Sequence, residues 1–341
     1  MKFKKTLVVF IVILGLAALA GGVFLWNFYY DRKVPNFKAP IELYIYPETS
    51  ADSVSNMIIS SGNVACKKSL LRAMKGLTIV KPGHYTISQK DPSLYVPRML
   101  SNGWQSPVKL VLSGTMRLQE GLAKMISRQM MLDSIDVIRA LRDSSLLAGY
   151  GFTKENVFAL FIPDTYQVYW TDSMKDVFDK QKKAYDAFWT EENKAKAAAQ
   201  GLTQMEVAIV ASIVKGESNH IPEFPAIAGV YLNRYRIGMK LQADPTVAFC
   251  FDYSLNRIYK HHTMVDSPYN TYMHTGLPPA PICVPTKECL EAVLNPDRHG
   301  YIFFCASPDF DGTHLFATSY SEHLMNAKAF QRALNVRQSI N

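Results

Sequence analysis

Thr203-Gln-Met-Glu-Val-Ala-Ile-Val-Ala-Ser-Ile-Val-Lys-Gly-Glu-Ser-Asn-His220 is the stretch on which the reading of this chain turns. It opens with a capping box, in which the Thr203 hydroxyl and the Glu206 carboxylate satisfy backbone N–H groups at a helix start. Glu206 therefore has a structural task and is set aside as a reactive group. From Val207 to Val214 every residue but Ser212 is apolar or small, so a core helix is expected. At about 100° per residue, Glu217 falls about 20° from Val210 and about 60° from Val214, on a face those residues want covered. A carboxylate in that register is costly without a partner or a task. Burial disfavours its charged form, so it keeps its proton at neutral pH. A surface Glu at a helix end is the commoner fate of this residue type; the sequence that follows weighs against it here.

Ala228-Gly-Val-Tyr-Leu-Asn-Arg234 reads as the next helix, followed by Gly238-Met-Lys-Leu-Gln-Ala-Asp-Pro-Thr246 with a turn at Asp244-Pro245. Asn233, Gln242 and Asp244 carry groups suited to hydroxyl and acetamido partners. Further on come Pro268-Tyr-Asn-Thr-Tyr272 and the rigid Thr275-Gly-Leu-Pro-Pro-Ala-Pro-Ile282, which reads as one wall of a groove. Gly216, just before the acid, allows another chain or a ligand to approach closely. A proton donor among such side chains is equipped to break a glycosidic bond. Taken singly, each motif is more readily a structural turn.

The 341 residues suffice for two or three domains, and 48% hydrophobic with 19% charged residues is an ordinary globular balance. Of the net charge of +8, half lies in residues 1–33, where Lys2, Lys4, Lys5, Arg32 and Lys33 face Asp31 alone. The remainder is mildly basic without a dense Lys/Arg block, which excludes a nucleic-acid-binding face. Residues 6–30 form an uncharged run of about 37 Å as a helix, enough to cross a bilayer. Its aromatic end, Trp26, Phe28, Tyr29 and Tyr30, suits a membrane–water interface. Ala18-Leu-Ala20 resembles a signal-peptidase site, but apolar sequence continues for ten residues beyond it, so an uncleaved anchor is expected. The N-terminal lysines place the N-terminus in the cytoplasm and the rest outside. Cys66, Cys250, Cys283, Cys289 and Cys305 lack zinc-type spacing. They read as buried free thiols, with one disulfide among the last four as the alternative. His261-His262 has no acidic partner at metal spacing and reads as a solvated loop. Neither a metal nor a cofactor is expected.

Residues 31–40 read as a polar, Pro-containing linker. Strands are expected at 41–46, 83–88 and 108–112, with helices at 51–60, 68–75 and 95–100. This strand–helix–helix–strand rhythm resembles a LysM-type module, which binds N-acetylglucosamine glycans in some proteins and is a spacer in others. Helices follow at 117–131, 134–142 and, as one long element, 172–199. The aromatic-rich 160–170 segment is either core packing or a sugar-stacking surface. The expected class is α+β, with an anchor at 1–33, a LysM-like βααβ-type module at 34–115 and a mixed α+β catalytic domain at 116–341.

Taken together, Ile-Val…Glu217-Ser218, Val-Tyr-Leu-Asn-Arg234, Leu-Gln-Ala-Asp-Pro-Thr-Val247, Tyr-Asn-Thr-Tyr272, Gly-Leu-Pro-Pro-Ala-Pro-Ile282, His314-Leu-Phe316 and Glu322-His323 resemble the endolytic murein transglycosylase (YceG-like) family. The resemblance implies a single-pass inner-membrane lyase that cuts the MurNAc–GlcNAc β-1,4 bond of nascent peptidoglycan strands, leaves 1,6-anhydroMurNAc ends and terminates glycan elongation. Its implied partners are the glycan strands and peptidoglycan synthases. The family's catalytic Glu falls on Glu217. Substrate contacts fall on Ser218, Asn233, Arg234, Gln242, Asp244, Thr246, Tyr269, Asn270, Thr271, Tyr272 and His314. One departure is plain: where the family commonly has Glu-Lys-Glu-Thr, this chain has Lys215-Gly-Glu-Ser218.

The implied mechanism needs one acid. Glu217 would protonate the leaving GlcNAc oxygen, and its carboxylate would then accept the proton of the MurNAc C6 hydroxyl as that oxygen closes on C1. The nucleophile is already tethered. Gln242, Asn270 and the tyrosines would orient the sugars. The alternatives are a muramidase using Glu217, Asp244 and water, a non-catalytic wall-binding protein, and an envelope scaffold recruiting synthases through the anchor.

Overall fold

The computed structural model describes residues 2–114 and 116–340; the boundary expected at 115 lies outside the described residues. The chain divides into two compact units, Met1–Lys109 with Gln167–Thr171, and Leu110–Tyr166 with Asp172–Asn341.

In the first unit, α1 (Lys2–Lys33) includes a segment, Leu7–Lys33, long and apolar enough to cross a membrane. Beyond it the sequence predicts a linker, and the structure differs. Asn36 and Phe37 are buried. The Asn36 amide donates to Cys66 O and Ser93 Oγ, and its oxygen accepts from Cys66 N. A polar, proline-containing segment is thus held by an internally satisfied asparagine, a pairing that composition does not display. Asp31 is tied down as well, accepting from Arg72 Nη2 at 2.7 Å, Arg72 Nε at 3.0 Å and Ser69 Oγ at 2.6 Å. Arg72→Ala is expected to weaken this join by about 2 kcal/mol, the scale of hydrogen bonds to a charged group. Limited proteolysis should then cut within residues 31–40 faster than in the parent chain.

β1 (Ile41–Ile45), α2 (Ala51–Ser60), α3 (Lys67–Met74) and β2 (Gly83–Ile87) follow in the expected order, then α4 (Tyr95–Asn102). β1 buries Ile41, Leu43 and Ile45 on alternate positions and pairs antiparallel with β2, Ile41 opposite Ile87. Val54, Ile58, Leu70, Tyr85 and Met99 close one apolar core over this pair. β3 (Val108–Val111) and β4 (Thr165–Val168) form a second two-stranded sheet.

The second unit is mainly helical: α5 (Gln119–Ser127), α6 (Ser134–Arg142), α7 (Ser144–Ala148), α8 (Met174–Phe188), α9 (Glu191–Ala199), α10 (Gln204–Glu217), α11 (Phe224–Arg236), α12 (Asp244–Cys250) and α13 (Lys287–Leu294). A hairpin of β5 (Phe303–Ala306) and β6 (His314–Ala317) and a last helix, α14 (Tyr320–Ile340), complete it. The single helix expected over 172–199 is broken into α8 and α9. Thr190 starts the second piece by accepting from Asn193 N, with Glu191 and Glu192 in its first turn, while Trp189 leaves the helical conformation and is buried. The helix expected over 117–131 is shorter, Gln119–Ser127. The aromatic-rich segment serves packing, with Phe161 and Ile162 buried and Trp170 edge-on to Tyr44 and Tyr46.

α10 is the hub. All eight residues from Val207 to Val214 are buried, and α9, α11, α12 and α13 pack around them. Thr203 and Glu206 form the expected capping box. Ser212, the polar exception, is satisfied: its hydroxyl donates to Ile209 O and accepts from Ile282 N, which docks the proline-rich loop on the helix. All five cysteines are free thiols; Cys283 and Cys289 are buried and the other three half-buried.

Candidate active site

α10 ends at Glu217, where Ser218 turns extended (φ −141°) and its hydroxyl accepts from His220 N at 2.9 Å. The turn leaves Glu217 half-buried where three clefts of the second unit meet. One, of about 390 Å³, is lined with Arg234, Gln242, Asp244, Tyr272 and His314. Another, of about 660 Å³, runs past Ser218, His220 and Asp311 and shares His314. The third, of about 200 Å³, lies between Gly216, Pro245 and Tyr253. A groove that continues on more than one side of the acid can hold a chain across it.

The side chains around Glu217 come from α11 and α12. Tyr231 and Arg234, three residues apart on α11, share a face. The Tyr231 hydroxyl donates to Glu217 Oε1, and the tyrosine is buried. Arg234 is buried too and donates Nε to Ile302 O at 2.6 Å and Nη1 to Leu241 O. Desolvation is the largest influence on Glu217 and pushes its carboxyl up from the ordinary 4.5 to about 7. The Asp244 charge acts in the same direction, against the Tyr231 bond and the Arg234 charge. Since Tyr231 occupies Oε1, the proton of the neutral acid resides on Oε2.

Asp244 begins α12, is exposed, and accepts from the Tyr272 hydroxyl at 2.6 Å. Its approach depends on Gly216: a Cβ there would meet Pro245 Cβ at 2.5 Å. The sequence expectation of a close approach at Gly216 thus has a partner, the Asp244-Pro245 turn. Gly216→Val should push α12 away, costing about 1–3 kcal/mol as overpacking does. A lowered melting temperature is the expected result, with calorimetry as the check.

The remaining residues expected at the site divide by what they touch. Gln242 is exposed on the cleft, with a left-handed φ of 48° and its N–H bonded to Thr271 O. Thr246 and Thr271 are buried, hydroxyl to hydroxyl at 2.9 Å, with Thr271 Oγ1 also accepting from Ala243 N. Asn270 is buried as well and donates to Thr263 O and Val265 O. These three pin the loop that presents Tyr272. Asn233 donates to His299 O and Tyr301 O and is not among the residues lining the three clefts. Tyr269 packs on Phe249, ring centroids 4.6 Å apart, and lines a separate cleft with Arg117 and Phe158. The structure therefore gathers Glu217, Ser218, Arg234, Gln242, Asp244, Tyr272 and His314, and leaves Asn233, Thr246, Tyr269, Asn270 and Thr271 as supports or neighbours.

Two residues were not singled out by sequence reasoning. Tyr231 has a legible signal, a phenol inside an apolar helix stripe that needs a hydrogen-bond partner. Glu223 has none in sequence; it lies 91 positions from the His314 it binds. Among the described residues no group of His, Cys, Asp and Glu is arranged to hold a metal ion.

Comparison with known proteins places the chain in a family. Residues 43–329 match the model of the YceG-like family. An endolytic murein transglycosylase of Bacillus subtilis is 33% identical over 44% of this chain and 41% of its own length. One from Streptococcus pneumoniae is 23% identical over 95% of this chain and 64% of its own length. The chain thus spans less than two thirds of the length of these relatives. The crystal structure of a YceG-like protein from Listeria monocytogenes superposes with a TM-score of 0.55 at 25% identity, covering 84% of this chain and 99% of that one. With a family match running from β1 into α14 and enclosing every residue of the groove except the end of α14, the chain belongs to the YceG-like family.

Proposed function

We propose that this chain is a membrane-anchored lytic transglycosylase that cuts the MurNAc–GlcNAc β-1,4 bond within peptidoglycan strands and leaves 1,6-anhydroMurNAc ends. One observation carries the reading: a carboxyl pushed up to about 7 at the meeting point of three clefts. The murein transglycosylase relatives supply the substrate class. Glu217 Oε2–H protonates the leaving GlcNAc oxygen. The MurNAc C6 hydroxyl closes on C1 and releases its proton. Because this nucleophile is part of the substrate, no water needs to be activated. Asp244, held by Tyr272, and Gln242 face the same cleft, where they orient the sugars and favour positive charge building at C1.

The apolar α1 anchors the enzyme in the inner membrane, and its N-terminal lysines keep that end cytoplasmic. The second unit then meets strands as synthases extrude them and terminates their elongation. Residues 34–115 serve as the LysM-like module, and residues 116–341 as the catalytic domain. Asp244 supports a second reading, a muramidase, since it lines two clefts with Glu217 and a second carboxylate is what hydrolysis requires.

Mass spectrometry of uncrosslinked glycan strands treated with the detergent-solubilised chain separates the two. Anhydro ends are expected. Reducing ends, heavier by one water, would establish hydrolysis, and absence of cleavage would leave a wall-binding role.

A further inference from the structure

A second titratable pair faces the groove that holds Glu217. Glu223 grips His314, the first residue of β6, at two points: His314 N donates to Oε1 at 2.8 Å, and Nδ1 lies 2.8 Å from Oε2. The two side chains are only 13% and 14% exposed. A carboxylate at Nδ1 fixes the proton there and leaves the Nε2 lone pair as the reactive site. His314 lines both larger clefts in which Glu217 sits. A single ring links the two pairs: Phe304 is edge-on to the His314 imidazole at 5.3 Å and to Tyr231 at 5.9 Å, and Tyr231 holds Glu217. An imidazole oriented by a carboxylate, which also stabilises the imidazolium, is the arrangement a general base requires.

The other histidine of the narrower cleft lacks this support. His323 Nδ1 is buried without a partner, and burial together with the Arg234 charge holds its pKa down. The remaining charged groups around His314 are His220, Asp311 and Arg337 in one cleft and Arg234 and Asp244 in the other. None of them forms an ion pair with the imidazole, which Glu223 orients.

We propose that His314 is the base of the ring-closing step, with Nε2 taking the proton of the MurNAc C6 hydroxyl while Glu217 protonates the leaving oxygen. The inference rests on the lytic reading above. As the O6–C1 bond forms and the C1–O4 bond breaks, the O6 proton passes to Nε2 and the Glu217 proton to O4. The imidazolium then returns its proton to the Glu217 carboxylate through solvent, so no water is consumed and both groups are restored. Glu223 is a positioning residue.

The test is the rate of anhydro-end formation against pH for the full chain in detergent. The parent rate is expected to fall as Glu217 loses its proton near 7. His314→Asn keeps a donor near the Nδ1 position for Glu223 and removes the base. It should lower kcat about 100-fold with little change in KM while keeping the fall near 7. A kcat within about threefold of the parent, or a rise in KM alone, would overturn the proposal. If that variant does not fold, Glu223→Gln decides. It keeps the acceptor for His314 N but stabilises the imidazolium less, so kcat should drop about tenfold with KM little changed. An unchanged kcat overturns the proposal equally. Reducing ends, or no cleavage, from the parent chain would sink the lytic reading and this inference with it. Anhydro ends undiminished in His314→Asn would sink this inference alone.

Discussion

Glu217→Gln is expected to lower anhydro-end formation by about 10³-fold or more while the chain still folds and binds glycan strands. The side-chain amide has the shape of the acid and retains an oxygen to accept the Tyr231 hydroxyl, so the packing at the end of α10 is kept. What it lacks is a proton that can be released to a leaving oxygen. General acid catalysis contributes about 10²–10⁴ in rate, and the lytic reading gives Glu217 that role. Product mass spectrometry measures the loss, and sedimentation with insoluble murein measures retained binding. If the variant kept more than a tenth of the parent rate, the proton donor would have to be sought elsewhere in the groove. If both cleavage and binding vanished with the fold intact by circular dichroism, Glu217 would be acting in substrate recognition.

The position of Glu217 at the end of a buried helix was legible in sequence because its signal is local. A capping box fixes where α10 starts, the apolar run fixes its register, and the register puts Glu217 on a buried face. The strand–helix–helix–strand order was legible for a similar reason, since alternation in Ile41–Ile45 and a Ser50 cap are written into neighbouring residues. What stayed hidden depends on pairings across the chain. Asn36 satisfies Cys66 and Ser93, which turns an apparent linker into packed structure. Glu223 reaches His314 only because the β5–β6 hairpin returns to the start of α11. Asn270, Thr246 and Thr271, expected at the site, are buried in loop hydrogen bonds that sequence did not display. A polar side chain in a motif looks the same in sequence whether it faces a ligand or a backbone carbonyl, and burial alone tells the two apart. The break between α8 and α9 was readable, because Thr190-Glu-Glu192 is an N-cap with an acidic first turn; the helical period on both sides concealed it.

Above pH 7, Glu217→Gln should be the more stable protein. The folded carboxyl titrates at about 7 against an ordinary 4.5, chiefly through desolvation, so the folded state holds this proton more tightly than the unfolded chain. The associated stability is fully present below about 4.5 and is lost as pH rises through about 7, where the charged form must be kept in a desolvated site. A shift of this size corresponds to roughly 3 kcal/mol at most. The amide variant has no such proton and loses nothing. Its melting temperature should match the parent near pH 4.5 and exceed it by about 5–10 °C at pH 8, given about 2–4 °C per kcal/mol for a unit of this size. Carboxylates held below their usual range by neighbours, such as Asp164 beside Lys287 and Asp176 beside Ser173, titrate identically in both proteins and cancel in the difference. Calorimetry at the two pH values is the check, and an equal offset at both would mean that Glu217 is not desolvated as the fold implies. The widening gap has a direct chemical meaning: the desolvation that destabilises the parent above pH 7 is what keeps a proton on Oε2 at neutral pH, where the leaving oxygen needs it.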